Sequence, residues 1–211
     1  MRKKLLLLIL GLLGAVAAPA APLERDLGQG LTYFRVHVLP EDLPVVGSVR
    51  GQAVILDVRY VPGDARLGAG LALWLRAHAN PRSPVFLLAN SATSPALLSP
   101  FSAADSIAGL VILGPASPDF AADVSLPVSA ADDRRAYEAL ERGVSVKALL
   151  SDAPDKVRND EARLDKDHLS DADEPPTDTD RPADHRPPQL IDAVLQRAVQ
   201  LHRGLLALKR L

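Results

Sequence analysis

Residues 84–98 read Pro84-Val-Phe-Leu-Leu-Ala-Asn-Ser-Ala-Thr-Ser-Pro-Ala-Leu-Leu98. An apolar run of strand length passes into small and hydroxyl residues, which lead into a short helix expected over residues 96–101. A strand that delivers Ser and Thr to a helix start has chemical potential. Backbone N–H groups point outward there, and a nucleophile and an oxyanion site can share the turn. Ser and Thr are also ordinary N-caps, so the stretch carries both readings.

Similar apolar runs flank it. Residues 52–60, ending in Asp57 and Arg59, read as a buried strand followed by a turn at Pro62-Gly63. Leu67, Leu71, Trp74, Leu75 and His78 share one face of a helix that Asn80-Pro81 stops. Residues 109–114 form another buried strand, and 122–128 an extended edge. Residues 33–39 alternate as a first strand, with His37 on its water-facing side or beside a neighbour that satisfies it. Asp132 or Asp133 is expected to cap a helix running to Arg142, with Gly143 at its C-terminal cap. Strand, helix, strand, helix, strand from 52 to 114 predicts an α/β domain over residues 28–150, with a mostly parallel sheet and flanking helices.

Composition bounds the rest. Residues 1–20 read as a secretory signal: Arg2, Lys3 and Lys4, an apolar run over 5–16, then Ala18-Pro19-Ala20, with cleavage expected after Ala20. The apolar run is too short for a spanning helix, so the mature chain is expected to lack a membrane span and to be periplasmic or extracellular. Removing the signal takes three of the 24 cations, leaving 21 against 26 acids and a net charge of −5. That argues against nucleic acid as a partner. The absence of cysteine excludes disulfides and thiolate metal sites.

Residues 151–188 hold twelve acids, six cations and six prolines and read as a solvated, disordered linker. His168 and His185 within it match no calcium-loop spacing, so neither a metal nor a cofactor is expected. Residues 189–211 form an amphipathic helix whose apolar stripe, with His202 as a packing residue, must dock on this domain, a second copy or a partner.

The order of these elements resembles the core of the C-terminal-processing, or tail-specific, serine peptidases, which have a Clp-protease/crotonase-like fold. Val54-Ile55-Leu56-Asp57-Val58-Arg59-Tyr60-Val61-Pro62-Gly63-Asp64 resembles the family's strand ending in Asp-Leu-Arg-x-Asn-Pro-Gly-Gly. Phe86 to Ala96 resembles its Leu-Val-Asn-x-x-Ser-Ala-Ser-Ala-x-Glu segment, and Gly109 to Gly114 the strand that follows. Asp192, Leu195, Ala198 and Leu201 are similar to the family's tail helix. The resemblance places the nucleophile position at Thr93, with Ser94 beside it. It makes Gly63 an oxyanion donor, with Asn90 in the pocket, and a homodimer plausible.

The departures bear on activity. The family's general-base lysine position falls near Pro118 and Asp119, and no lysine occurs from Leu5 to Val146. No histidine occurs from Ala79 to Asp167. A hydroxyl without Lys or His has only carboxylates such as Asp105, Asp119 or Asp123 as a base, a poor match for an alcohol. Asp64, replacing a glycine beside Gly63, would oppose an oxyanion. The family's peptide-binding PDZ module has no room between the first two strands.

The expectation is therefore a degenerate serine-type peptidase core acting as a binding or assembly module, with an extended peptide or a protein as partner. The alternative is an active Ser/Thr peptidase whose base comes from elsewhere, such as Lys147, Lys156 or a second subunit. Acyl-CoA chemistry is disfavoured, because no basic patch for its phosphates is visible.

Overall fold

The computed structural model describes residues 23–44, 49, 51–101, 107–117, 121–151 and 190–211. The expected signal, the acidic segment beyond Ser151, and His168 and His185 lie outside them. Six strands form one sheet in chain order: β1 (Leu23–Gly28), β2 (Leu31–Arg35), β3 (Ala53–Asp57), β4 (Val85–Leu88), β5 (Leu110–Pro115) and β6 (Val124–Leu126). β1 pairs antiparallel with β2, and every later pair is parallel. The chain is thus α/β with a mostly parallel sheet. Among the described residues, no helix is long and apolar enough to cross a membrane.

The central strands are buried on both faces, which explains their continuous apolar runs. Val54, Leu56, Val85 and Leu87 point to one face. There they meet Leu71, Trp74 and Leu75 of helix α1 (Ala65–His78) and Leu97 of the short helix α2 (Pro95–Leu98). Ile55, Phe86, Leu88 and Leu113 point to the other. They are covered by Ala139 and Leu140 of α3 (Ala130–Glu141) and by Val194, Leu195, Ala198 and Val199 of α4 (Ala193–Ala207). The C-terminal apolar stripe therefore docks on its own sheet.

Several boundaries differ from the sequence reading for local reasons. The domain was expected from residue 28, yet the sheet starts at Leu23, because β1 is an exposed edge strand with little apolar signal. β2 ends at Arg35, not residue 39: the Asp42 carboxylate takes the His37 and Val38 N–H groups at 2.7 and 2.8 Å, turning the chain away. β3 ends at Asp57 rather than residue 60, since Asp57 Oδ1 accepts the Arg59 N–H and Tyr60 adopts a left-handed φ of 63°. Ser129, not Asp132 or Asp133, caps α3; its Oγ accepts the Asp132 N–H at 3.1 Å. The Asp133 side chain is engaged in the interior instead.

Tight approaches fix the layers. Trp74 Nε1 donates to the Pro44 carbonyl at 2.9 Å, pinning the loop after β2 onto α1. Gly109, at φ 84°, lies so close to Asn80 that a Cβ would sit 2.3 Å from its backbone carbonyl carbon. Only glycine suits both conditions.

Candidate functional site

Thr93, Ser94, Gly63 and Asn90 meet at the C-terminal ends of β3 and β4, where two loops close on each other. Asn90 follows β4 and organises its loop: Asn90 Oδ1 accepts the Ala92 and Thr93 N–H groups at 3.1 and 3.0 Å. Short polar side chains favour such turns because they replace a backbone partner. Thr93 is buried; its Oγ1 donates to the Val58 carbonyl at 3.0 Å and accepts the Asn90 N–H at 3.1 Å. Ser94 Oγ donates to the Gly63 carbonyl at 2.6 Å, and Ser94 N–H to the Val61 carbonyl at 3.1 Å. Gly63 packs against Leu97, whose Cδ2 would lie 2.4 Å from an added Cβ.

Both hydroxyls thus donate to backbone carbonyls, which cannot accept a proton at neutral pH. Lys147 sits exposed on a 3-10 turn (Val146–Leu149) and is not among their hydrogen-bond partners. Asp123, a carboxylate within this part of the chain, accepts the Ile112 N–H at 2.8 Å. Asp105, Pro118, Asp119 and Lys156 lie outside the described residues.

Asn90 also leads into a larger buried network. Its Nδ2 donates to Asp133 Oδ2 at 2.9 Å, and Tyr60 Oη donates to the same oxygen at 2.8 Å. Asp133 Oδ1 accepts from Arg59 at 2.8 Å. Arg59 is fully buried and uses all five of its N–H groups. Nε and Nη2 hold Asp57 at 3.0 and 2.7 Å, Nη2 and Nη1 hold Asp192 at 2.7 and 3.2 Å, and Nη1 holds Asp133. Tyr33 Oη completes the shell of Asp57 at 2.8 Å.

The elements explain why three acids converge. Asp57 is the last residue of β3, Asp133 lies in the first turn of α3, and Asp192 caps α4 through the Leu195 N–H at 3.0 Å. Carboxylates at helix N-termini also meet the positive ends of the dipoles. Burial pushes the Asp57 carboxyl up, but the Arg59 charge and hydrogen bonds, helped by Arg35 and Tyr33, hold it below the ordinary carboxylate range. Burial disfavours charge on Arg59, yet the carboxylates, Asp192 foremost, raise its pKa well above the usual value. The Tyr33 and Tyr60 hydroxyls are raised by burial and by the adjacent Asp57 and Asp133, so both stay protonated donors. Beside them, Arg35 lies 3.4 Å over the Tyr137 ring and 3.0 Å from Glu141, which also meets His37 Nε2 at 2.8 Å.

A cavity of about 320 Å³ opens beside this network, with Tyr60, Asn90, Ser91, Ala92, Asp133 and Arg134 in its wall. It lies beyond the carboxyl ends of parallel strands, the usual ligand position of open α/β sheets. Among the described residues no group of three or more His, Asp or Glu side chains is placed to hold a metal ion, the three carboxylates around Arg59 being taken up by its guanidinium.

The sequence shows Asp57 and Arg59 at a strand end but not their convergence with Asp133 and Asp192, which lie 74 and 133 positions from Arg59. The only signal was the acid opening each later helix, which reads equally well as a cap. No family model matches this chain, and neither does any curated protein.

Proposed function

We propose that this chain is an exported, peptidase-like protein lacking the Ser/Lys dyad, which works as a binding or assembly module. Support comes chiefly from the bonding of Thr93: its hydroxyl donates to the Val58 carbonyl and accepts the Asn90 N–H, so it braces two loops. To attack a carbonyl it would have to leave that bond and find a base, and its partners offer none.

The Clp-protease/crotonase-like assignment belongs to the same reading. The chain-ordered, mostly parallel sheet, the Asp57-x-Arg59 strand end and the Asp192 that opens the tail helix support it. Residues 1–20 support export. On this reading the strand-end cavity is a former substrate cleft that retains a binding role.

The test is a serine-directed fluorophosphonate probe on residues 21–211, with adducts mapped by mass spectrometry and Thr93→Ala and Ser94→Ala as controls. The expected result is no adduct on folded protein. An adduct on Thr93 or Ser94 that disappears in the matching variant would instead establish an active hydrolase.

A further inference from the structure

A second concavity lies away from the strand-end network. β6 is the last strand of the sheet, and its outer edge has no partner strand among the described residues. The Leu126 carbonyl accepts the Ala116 N–H at 2.9 Å, so Leu126 turns its backbone polar groups toward β5. Strand alternation then aims the N–H and C=O of Ser125 outward. Ser125 is exposed, and the half-buried Val124 and Leu126 flank it.

Short edge strands often protect a sheet from unwanted pairing. Here the edge has a wall opposite it. A cavity of about 460 Å³ separates β6 from α4 and the residues leading into it, bounded there by Ile191, Arg197 and Gln200. It shares Pro127, Ile191 and Ala193 with a neighbouring cavity of about 560 Å³ that Asp132, Arg135 and Arg142 also line.

The charge of this surface is directional. Across the two cavities three arginines stand against one carboxylate, on a chain whose formal net charge is −2. Arg135 is paired with Asp132, and Arg142 lies 3.7 Å from Glu138. Arg197 touches only the neutral Gln200 amide, at 3.4 Å, among the described residues. An edge without a partner strand and a guanidinium without a carboxylate partner, both among the described residues, together with an apolar floor select for an extended strand with acidic side chains.

We infer that the groove between β6 and α4 binds an extended acidic peptide of another protein, which adds as a strand beside Ser125 and places a carboxylate on Arg197. This deepens the binding-module reading and rests on it, naming the chemistry of the partner.

The test is fluorescence anisotropy on the full chain with two labelled peptides, four Val-Glu repeats and four Val-Lys repeats. The acidic peptide should bind saturably, weaken with salt, and lose about tenfold or more in affinity to Arg197→Glu. The basic peptide should bind far more weakly. Ser125→Pro, which removes the outward N–H and spares the ladder to β5, should weaken binding similarly. If that variant does not fold, N-methylating alternate residues of the acidic peptide tests the same edge bonds on the unmodified protein.

Equal binding of both peptides, no binding of the acidic one, or indifference to Arg197→Glu would overturn the proposal. So would acidic-peptide binding seen only after the acids of residues 152–189 are replaced by their amides, because the chain's own segment would then be the occupant. A dimer by sedimentation that Arg197→Glu dissolves would give the groove to a second copy and overturn it as well. Binding abolished by Arg134→Glu but not by Arg197→Glu would move the peptide to the strand-end cavity. That result removes the groove and leaves the binding-module reading standing, whereas Thr93 labelling removes that reading by itself.

Discussion

Replacing Arg59 with leucine would remove five hydrogen bonds and leave Asp57, Asp133 and Asp192 buried together without a cation. Loss of one partner from a buried ion pair costs about 3–5 kcal/mol. Arg59→Leu should lose at least that in urea unfolding, and Arg59→Lys should rescue only part, since an ammonium cannot hold three carboxylates in a planar fork. A loss below 1 kcal/mol would show that the network contributes little. The second residue-scale prediction concerns pH. His202 is buried on α4, edge-on to Phe86, and burial, then the neighbouring Arg203, lowers its pKa. Because its folded pKa lies below the unfolded value of about 6.5, the unfolded chain binds the extra proton first. Stability should therefore be fully present above that value and fall as pH drops toward the folded pKa. Asp57, also depressed, contributes stability that is lost only at more acidic pH, as its own folded pKa is crossed. Melting temperatures measured from neutral to acidic pH should fall in two stages, and His202→Leu should flatten the first alone.

Elements meet at two glycines whose replacement should be disproportionately costly. An alanine at Gly109 combines a left-handed φ of 84° with a Cβ 2.3 Å from the Asn80 backbone, which cannot rotate away. A residue held in such a region costs about 1–3 kcal/mol before the clash is counted. Gly109→Ala should exceed that range in chemical denaturation and loosen the start of β5 against the Asn80 turn. At Gly68 an added Cβ would lie 2.5 Å from the Ala96 carbonyl oxygen, so Gly68→Ala should push α1 from α2. Ser129→Ala is the mild counterpart. It removes one cap bond to Asp132 and should cost about 1 kcal/mol, whereas a change at Asp132 or Asp133 read as caps would miss the bond that closes the helix.

For the whole molecule, one face of the sheet is covered by a helix that follows the long acidic segment in the chain. Ile55, Phe86 and Leu88 rely on Val194, Leu195, Ala198 and Val199 for burial, and the Asp192 cap reaches Arg59. A chain ending at residue 151 would expose that face and leave Arg59 short of a carboxylate. Such a chain should bind a hydrophobic dye and lose the near-ultraviolet signal of Tyr33, which lies in the core layer beneath that helix, despite keeping every strand. Adding residues 190–211 as a separate peptide should restore the signal if docking needs no covalent tether. A truncated chain that unfolds as cooperatively as the whole would show that the helix is an accessory.

What the sequence determined by itself was the class of architecture. Runs such as Val54 to Leu56 and Val85 to Leu88 are too apolar to face water on either side, and the helical period between them demands crossovers. It also determined that neither lysine nor histidine neighbours Thr93 along the chain, because an absent residue type is visible without coordinates. β1 escaped because an edge strand needs little apolar surface. The Arg59 network escaped because one acid at a helix start is indistinguishable in sequence from a cap. Only the tertiary structure decided that Asp133 and Asp192 turn inward to one guanidinium, that the Thr93 hydroxyl is spent on the Val58 carbonyl, and that the last helix docks on its own sheet. Each of those outcomes depends on distance between residues far apart in the chain, and burial there makes every unpaired charge or donor costly enough to select a single arrangement.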